Sequence, residues 1–167
     1  MIDSDQYIYI DTFFIQAFLW GKNDEKQLAN ETIRKIKNTV VNPNIHVKIP
    51  MIVIGEVINN LMRRFEIKEI LNGNTLCELC KLLNDLGADL VPPCKRSIET
   101  ARVLLDKDNQ LKPVDAVILS QAVCDPNSTY LITSDKILLE SNRIKEYLES
   151  DEIKENRRQK LKIAEKF

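Results

Sequence analysis

Along this chain the hydrophobic positions switch between short apolar runs and a spacing near 3.6 residues, almost from one end to the other. Tyr7–Ile10 reads as a β-strand, and FFIQAFL after it as a helix. Asp24 and Gln27 form a capping signal for a second helix, continued by Ala29, Ile33, Ile36 and Val40 on one face. Asn42-Pro43-Asn44 is a turn into a strand at 45–49, followed by a helix over 50–65 with Ile54, Val57, Ile58, Leu61 and Phe65 as its core stripe. A helix over 75–86 stops at Gly87, a strand at 88–91 ends in Pro92-Pro93, and a helix occupies 97–105. The polar DKDNQLK leads to a helix opening at Pro113, a residue favoured in the first turn. A strand at 129–133 and a helix from Lys136 to Glu149 complete the pattern. Strands alternating with helices at this spacing predict one α/β domain over 1–150, with right-handed crossovers and a mainly parallel sheet covered on both faces.

Composition narrows the function classes. The chain has 167 residues, 44% of them apolar, enough for a single core without staples. Lys and Arg number 24 against 25 Asp and Glu, a net charge of −1, so no global positive field exists to coat DNA. The longest apolar runs are too short for a membrane span, and no signal-peptide pattern opens the chain; a cytoplasmic protein with no membrane partner is expected. Its four cysteines then read as reduced thiols. Cys77 and Cys80 form a C-x-x-C without a second pair, and the Leu76, Leu79, Leu83, Leu86 face around them predicts buried hydrophobes rather than zinc ligands. Residues 153–167 carry six Lys or Arg against two Glu and read as a charged, solvated helical tail beginning after residue 150, with a basic arm that touches a polyanion or a partner chain as the alternative.

Four carboxylates stand where apolar residues dominate. Asp11 follows the first strand and Asp135 the last; Glu56 interrupts MIVIGEVI; Asp115 lies in the first turn of PVDAVILSQAV. Each has an ordinary role open to it. Asp11 and Asp135 suit helix caps, Asp115 a first-turn partner of the helix dipole, and Glu56 a solvated face beside Asn59 and Arg63. All four together at the carboxyl ends of strands, or on helices that follow, point to a site, because open parallel sheets bind ligands there. Lys136 is expected to point away, which leaves the acids without a built-in cation; ionised carboxylates gathered in apolar surroundings need one. All-oxygen ligands without histidine select Mg²⁺ or Mn²⁺, ions that serve phosphoryl chemistry. Thr12, Thr133 and Ser134 add hydroxyls beside the acids, and Arg63 and Arg64 are candidates for a phosphate contact. The acids at 3, 5, 85, 89, 106, 108 and 125 read as solvated.

The segments YIYIDTFFI, IGEVINNL, KPVDAVILSQA and LITSDKIL, in this order, resemble the PIN-domain family of metal-dependent ribonucleases, which includes VapC-type toxins and RNA-processing enzymes. The resemblance covers most of residues 7–140. It implies a three-layer α/β/α sandwich with a four- or five-stranded sheet, a metal site at Asp11, Glu56, Asp115 and Asp135, and supporting hydroxyls at Thr12 and Thr133. It further implies an RNA substrate, a homodimer and, for a toxin, a small antitoxin partner. The chain departs from the family pattern after KILLESNRIKEYLES, which reads on as helix where a closing fifth strand is common.

The leading expectation is therefore a metal-dependent endoribonuclease, with a non-catalytic PIN-like module binding RNA or protein as the alternative. Other phosphate chemistries fit poorly. A haloacid-dehalogenase-type phosphatase needs an acid at position 13, which is Phe; a receiver domain needs an Asp after the third strand; and four glycines in all leave no phosphate-cradling loop.

Overall fold

A computed structural model describes residues 5–64 and 74–167. The chain runs β1 (Gln6–Ile10), α1 (Thr12–Trp20), α2 (Asn23–Thr39), β2 (Ile45–Pro50) and α3 (Met51–Arg64). It continues with α4 (Thr75–Asp85), β3 (Asp89–Val91), α5 (Lys95–Lys107), α6 (Pro113–Cys124) and β4 (Ser128–Ile132). Three short helices, α7 (Lys136–Glu140), α8 (Asn142–Leu148) and α9 (Asp151–Glu155), lead to β5 (Lys162–Ala164). The five strands form one sheet in the order β3-β2-β1-β4-β5, every pair parallel. The predicted α/β class and the three-layer α/β/α sandwich are what the structure has.

The central strands bury their apolar residues because both faces of the sheet are covered. Ile8, Tyr9 and Ile10 of β1, Val47 and Ile49 of β2, and Leu131 and Ile132 of β4 are all fully buried. Helices α1, α2 and α4 pack together, as do α5, α6 and α8. The α6 segment is apolar on nearly every side and is accordingly buried on most of them, Ala116, Ile118, Leu119, Ala122 and Val123 included. Its start follows local chemistry: Pro113 takes the first helical position, where its missing N–H has no intrahelical partner to lose. Gly87, at φ +55°, ends α4 in the left-handed region that only glycine enters at no steric cost.

Several expectations are corrected. The 50–65 helix buries Val57 and Leu61 as predicted and packs Ile54 partly buried on the core, but Ile58 is 39% exposed and Val53 takes the remaining buried position; Phe65 lies outside the described residues. Cys77 and Cys80 are exposed, because α4 turns Leu79, Leu82 and Leu86 inward instead. Helix α2 begins at Asn23, with Glu25 accepting a hydrogen bond from the Lys22 backbone N–H at 3.3 Å, so Glu25 rather than Gln27 is the residue that reaches back. The single helix expected over 136–149 is broken at Ser141, whose hydroxyl caps α8 at Ile144 and donates to Asp108 at 2.6 Å. Asp108 is thereby buried rather than solvated, and the Ser141 hydroxyl holds its carboxyl below the usual range. Asp125 is likewise drawn in: Lys48 Nζ donates to it at 2.7 Å and the Tyr9 hydroxyl at 3.0 Å.

The largest correction concerns 151–167. It is not a solvated helical tail: after the single turn of α9 it enters the sheet as β5, and Arg157 is half-buried against the end of α6. The guanidinium donates to the carbonyls of Ala122 and Val123 at 2.9 and 2.7 Å, to both oxygens of Ser128, and to the Gln159 carbonyl at 3.1 Å. It thus satisfies carbonyls that α6 leaves open at its C-terminus and ties them to the start of β4.

Candidate metal-dependent active site

Chain order places the site. From β1 the chain first adds β2 and β3 on one side of the sheet and only later β4 and β5 on the other. The switch point is therefore the carboxyl end of the β1–β4 pair, where crossovers depart in opposite directions and leave a crevice. A cleft of about 470 Å³ opens there, lined by Asp11, Glu56, Asp115 and Asp135, with Thr12 and Ser134 beside them. All four sequence-predicted acids meet in it, delivered by four different elements.

Asp11 follows β1 directly, and its backbone N–H still bonds to the Ile132 carbonyl of β4 at 3.0 Å. Its side chain is 5% exposed and caps α1: Oδ1 accepts from the Thr12 backbone N–H at 2.6 Å, and Oδ2 accepts from the Thr133 hydroxyl at 2.6 Å. Thr133 Oγ1 in turn accepts from the Asp135 backbone N–H at 3.0 Å, so one hydroxyl spaces the two acids. Asp135 caps α7, its Oδ1 accepting from the backbone N–H groups of Ile137 and Leu138 at 2.9 and 3.0 Å. Glu56 sits on α3, where Oε2 accepts from the Thr12 hydroxyl at 2.6 Å. Asp11 and Asp135 are therefore helix caps and cleft residues at once; the ordinary role and the functional one coincide.

Electrostatics follow from this crowding. Burial pushes the Asp11 carboxyl up, against the lowering effect of its Thr133 and Thr12 hydrogen bonds, and the Glu56 and Asp135 charges push it further up. Asp115 is raised to about 6, first by burial and then by the carboxylates of Asp11 and Asp135, with Lys112 as a weaker counterweight. Among the described residues no protein donor reaches Asp115, Oδ2 of Asp135 or Oε1 of Glu56. No three His, Cys, Asp or Glu side chains among the described residues are already drawn around one point as a cage. Asp11, Glu56 and Asp135 are instead turned onto threonine hydroxyls and helix amides. The donor set itself, all carboxylate oxygen with several lone pairs unclaimed and mutually repelling, fits a hard divalent cation.

The raised Asp115 has a consequence for stability. An acid that titrates near 3.8 when unfolded and near 6 when folded costs nothing below about pH 4, and its cost grows to a plateau above pH 6. The shift of about two units corresponds to ~3 kcal/mol, which the half-exposed position screens to about 1–2 kcal/mol. Asp115→Asn should therefore raise the melting temperature by roughly 2–6 °C at pH 8 without divalent ions, and by nothing at pH 3.5–4. An equal gain at both pH values would show that burial of the charge is not the cause.

Two residues in the cleft escaped the sequence reading. Gln16 and Asn60 line it one helical turn beyond Thr12 and Glu56 on α1 and α3, and Gln16 Nε2 is buried with no hydrogen-bond partner. An unpaired buried amide costs free energy unless something binds it. The signal was the i+4 spacing from two suspected residues, which periodicity assigns equally well to a helix flank. Other expectations shift modestly. Arg63 and Arg64 are exposed and outside the cleft, Arg63 two turns along α3 from Glu56. Lys136 lines the cleft edge instead of lying away from it. Neither a protein-family model nor a curated protein sequence matches the chain.

Proposed function

We propose that the protein is a metal-dependent endoribonuclease that hydrolyses RNA phosphodiester bonds in this cleft. The observation that carries the reading is the convergence of Asp11, Glu56, Asp115 and Asp135, from four elements, at the switch point of a parallel sheet. Structural caps alone do not account for it, since Glu56 and Asp115 cap nothing. The four acids would hold Mg²⁺ or Mn²⁺, and a bound ion of this kind supplies charge for a phosphoryl oxyanion and lowers the pKa of water.

The chain's own groups have separate tasks in this reading. Thr12 and Thr133 fix the orientation of Glu56 and Asp11 through 2.6 Å hydrogen bonds. Asp115, delivered by the first turn of α6, completes the carboxylate set that would hold the ion. Gln16 offers its unpaired amide to an oxygen acceptor on the nucleic-acid strand. If so, Gln16→Ala raises KM about 3- to 10-fold and leaves kcat within twofold, the signature of a lost ground-state contact. An unchanged KM would remove Gln16 from the substrate path.

The resemblance to PIN-domain ribonucleases supports RNA over other phosphodiesters, and a homodimer and a small antitoxin partner belong to the same proposal. The test is cleavage of an end-labelled single-stranded RNA and a DNA of the same sequence, with Mn²⁺ and with EDTA. Metal-dependent cutting of RNA alone supports the reading. Tight RNA binding with no cutting in any metal favours the non-catalytic module instead.

A further inference from the structure

A second cavity lies away from the acid cluster, along the segment that sequence pattern reads as a tail. It holds about 600 Å³ and is formed by the β4–β5 crossover and β5 itself. Its floor is apolar, with Leu138, Leu148, Ile153, Leu161 and Ile163 facing it. Two features show what kind of occupant it suits.

The first is its position on the sheet. Successive residues of a strand point to opposite faces, so a cavity on one face touches alternate positions. Leu161, Lys162, Ile163 and Ala164 all line this one, which places it along the outer edge of β5. That strand ends the sheet, pairing with β4 on one side and with no strand on the other among the described residues. An open edge beside an apolar groove is the arrangement by which peptides add a strand to a sheet.

The second is charge. Lys145, Lys154, Arg158 and Lys162 ring the groove, and none of them forms an ion pair among the described residues. The lone acid in the lining, Glu149, is held by Lys160 at 3.2 Å. In a chain of net charge −1 this is a local segregation of positive charge. A second copy of the same edge would meet it with like charge, the means by which edge strands avoid self-association.

We propose that the edge of β5 and its groove form a docking site for an extended acidic segment of a partner protein. The segment adds as a sixth strand, seats alternate apolar side chains in the groove and sets its carboxylates against the ring of Lys and Arg. The site is independent of the catalytic reading.

The probe is a fluorescein-labelled ten-residue peptide alternating Leu and Glu, compared by anisotropy with Leu/Lys and Ser/Glu peptides of the same length. Binding at least about tenfold tighter than either control is expected, weakening with added salt. The Lys154→Glu, Arg158→Glu double variant should lose about tenfold in affinity with an unchanged melting temperature, since both side chains are exposed. Hydrogen exchange at the amides of Lys162–Ala164 should slow on binding. No Leu/Glu binding at about 1 mM, equal binding of the Leu/Lys peptide, or protection elsewhere would overturn the proposal. So would sedimentation showing that a second copy occupies the edge.

Discussion

Asp11→Asn and Glu56→Gln should each lower the rate of RNA cleavage by on the order of 10³-fold while leaving the circular-dichroism spectrum unchanged. Both substitutions keep shape and remove charge, and Asp11→Asn needs a control for its altered hydrogen bonding. Asp11 is the sharper case, because its two oxygens also accept hydrogen bonds from Thr12 and Thr133. An amide keeps one acceptor oxygen and presents a donor where Thr133 now donates, which disturbs the cap. Thr133→Val with Asp11 intact provides the control: it removes the hydroxyl partner and retains the charge. A small rate loss in Thr133→Val beside a large one in Asp11→Asn assigns the effect to the carboxylate. Comparable losses in both would assign it to local distortion.

The second large effect is structural and involves the residue whose environment sequence reasoning misjudged most. Arg157→Ala should destabilise the protein by about 2–3 kcal/mol, the range for losing charge-assisted hydrogen bonds to part-buried carbonyls. The guanidinium bonds to carbonyls of Ala122, Val123, Ser128 and Gln159; truncation leaves Val123 without this donor, while Ala122 keeps only the Ser128 hydroxyl. A chemical-denaturation midpoint measures the loss. Arg157→Lys should recover only part of it, since an ammonium cannot reach both sides of the fork at once. Activity should fall as well, through a defined path: the Ala164 carbonyl of β5 accepts from the Thr133 backbone N–H at 2.9 Å, and Thr133 holds Asp11. A loss below 1 kcal/mol would mean that 157–167 is held by β5 pairing alone.

These two cases show where sequence pattern suffices and where it does not. The apolar runs of β1 and β4 needed no tertiary knowledge, because a strand covered on both faces is written largely in apolar residues, and β2 is legible from the alternation of Ile45, Val47 and Ile49 with His46 and Lys48. The acids stood out for the complementary reason: Asp11 and Asp135 follow apolar strands, and Glu56 and Asp115 interrupt apolar helices. What stayed hidden depends on partners distant in the chain. β5 is a three-residue edge strand with Lys162 at its start, and its local composition is that of a solvated helix. Asp125 reads as a loop acid until β1 and β2 bring Tyr9 and Lys48 to it. Cys77 and Cys80 show a subtler limit. The leucines of α4 admit two neighbouring faces, and only packing decides that Leu82 rather than Cys80 turns inward. Ser141 illustrates a third kind, a hydroxyl that breaks a helix because Asp108 is there to receive it.

The measurement that bears most directly on the central claim is a single side-by-side assay. Purified wild-type protein and Asp115→Asn are incubated with an end-labelled single-stranded RNA in Mn²⁺, and the wild type also in EDTA. Cleavage by the wild type in Mn²⁺ alone, absent with EDTA and absent in the variant, is the predicted result. Cleavage that persists in Asp115→Asn at the wild-type rate would contradict it and move the chemistry out of this cleft.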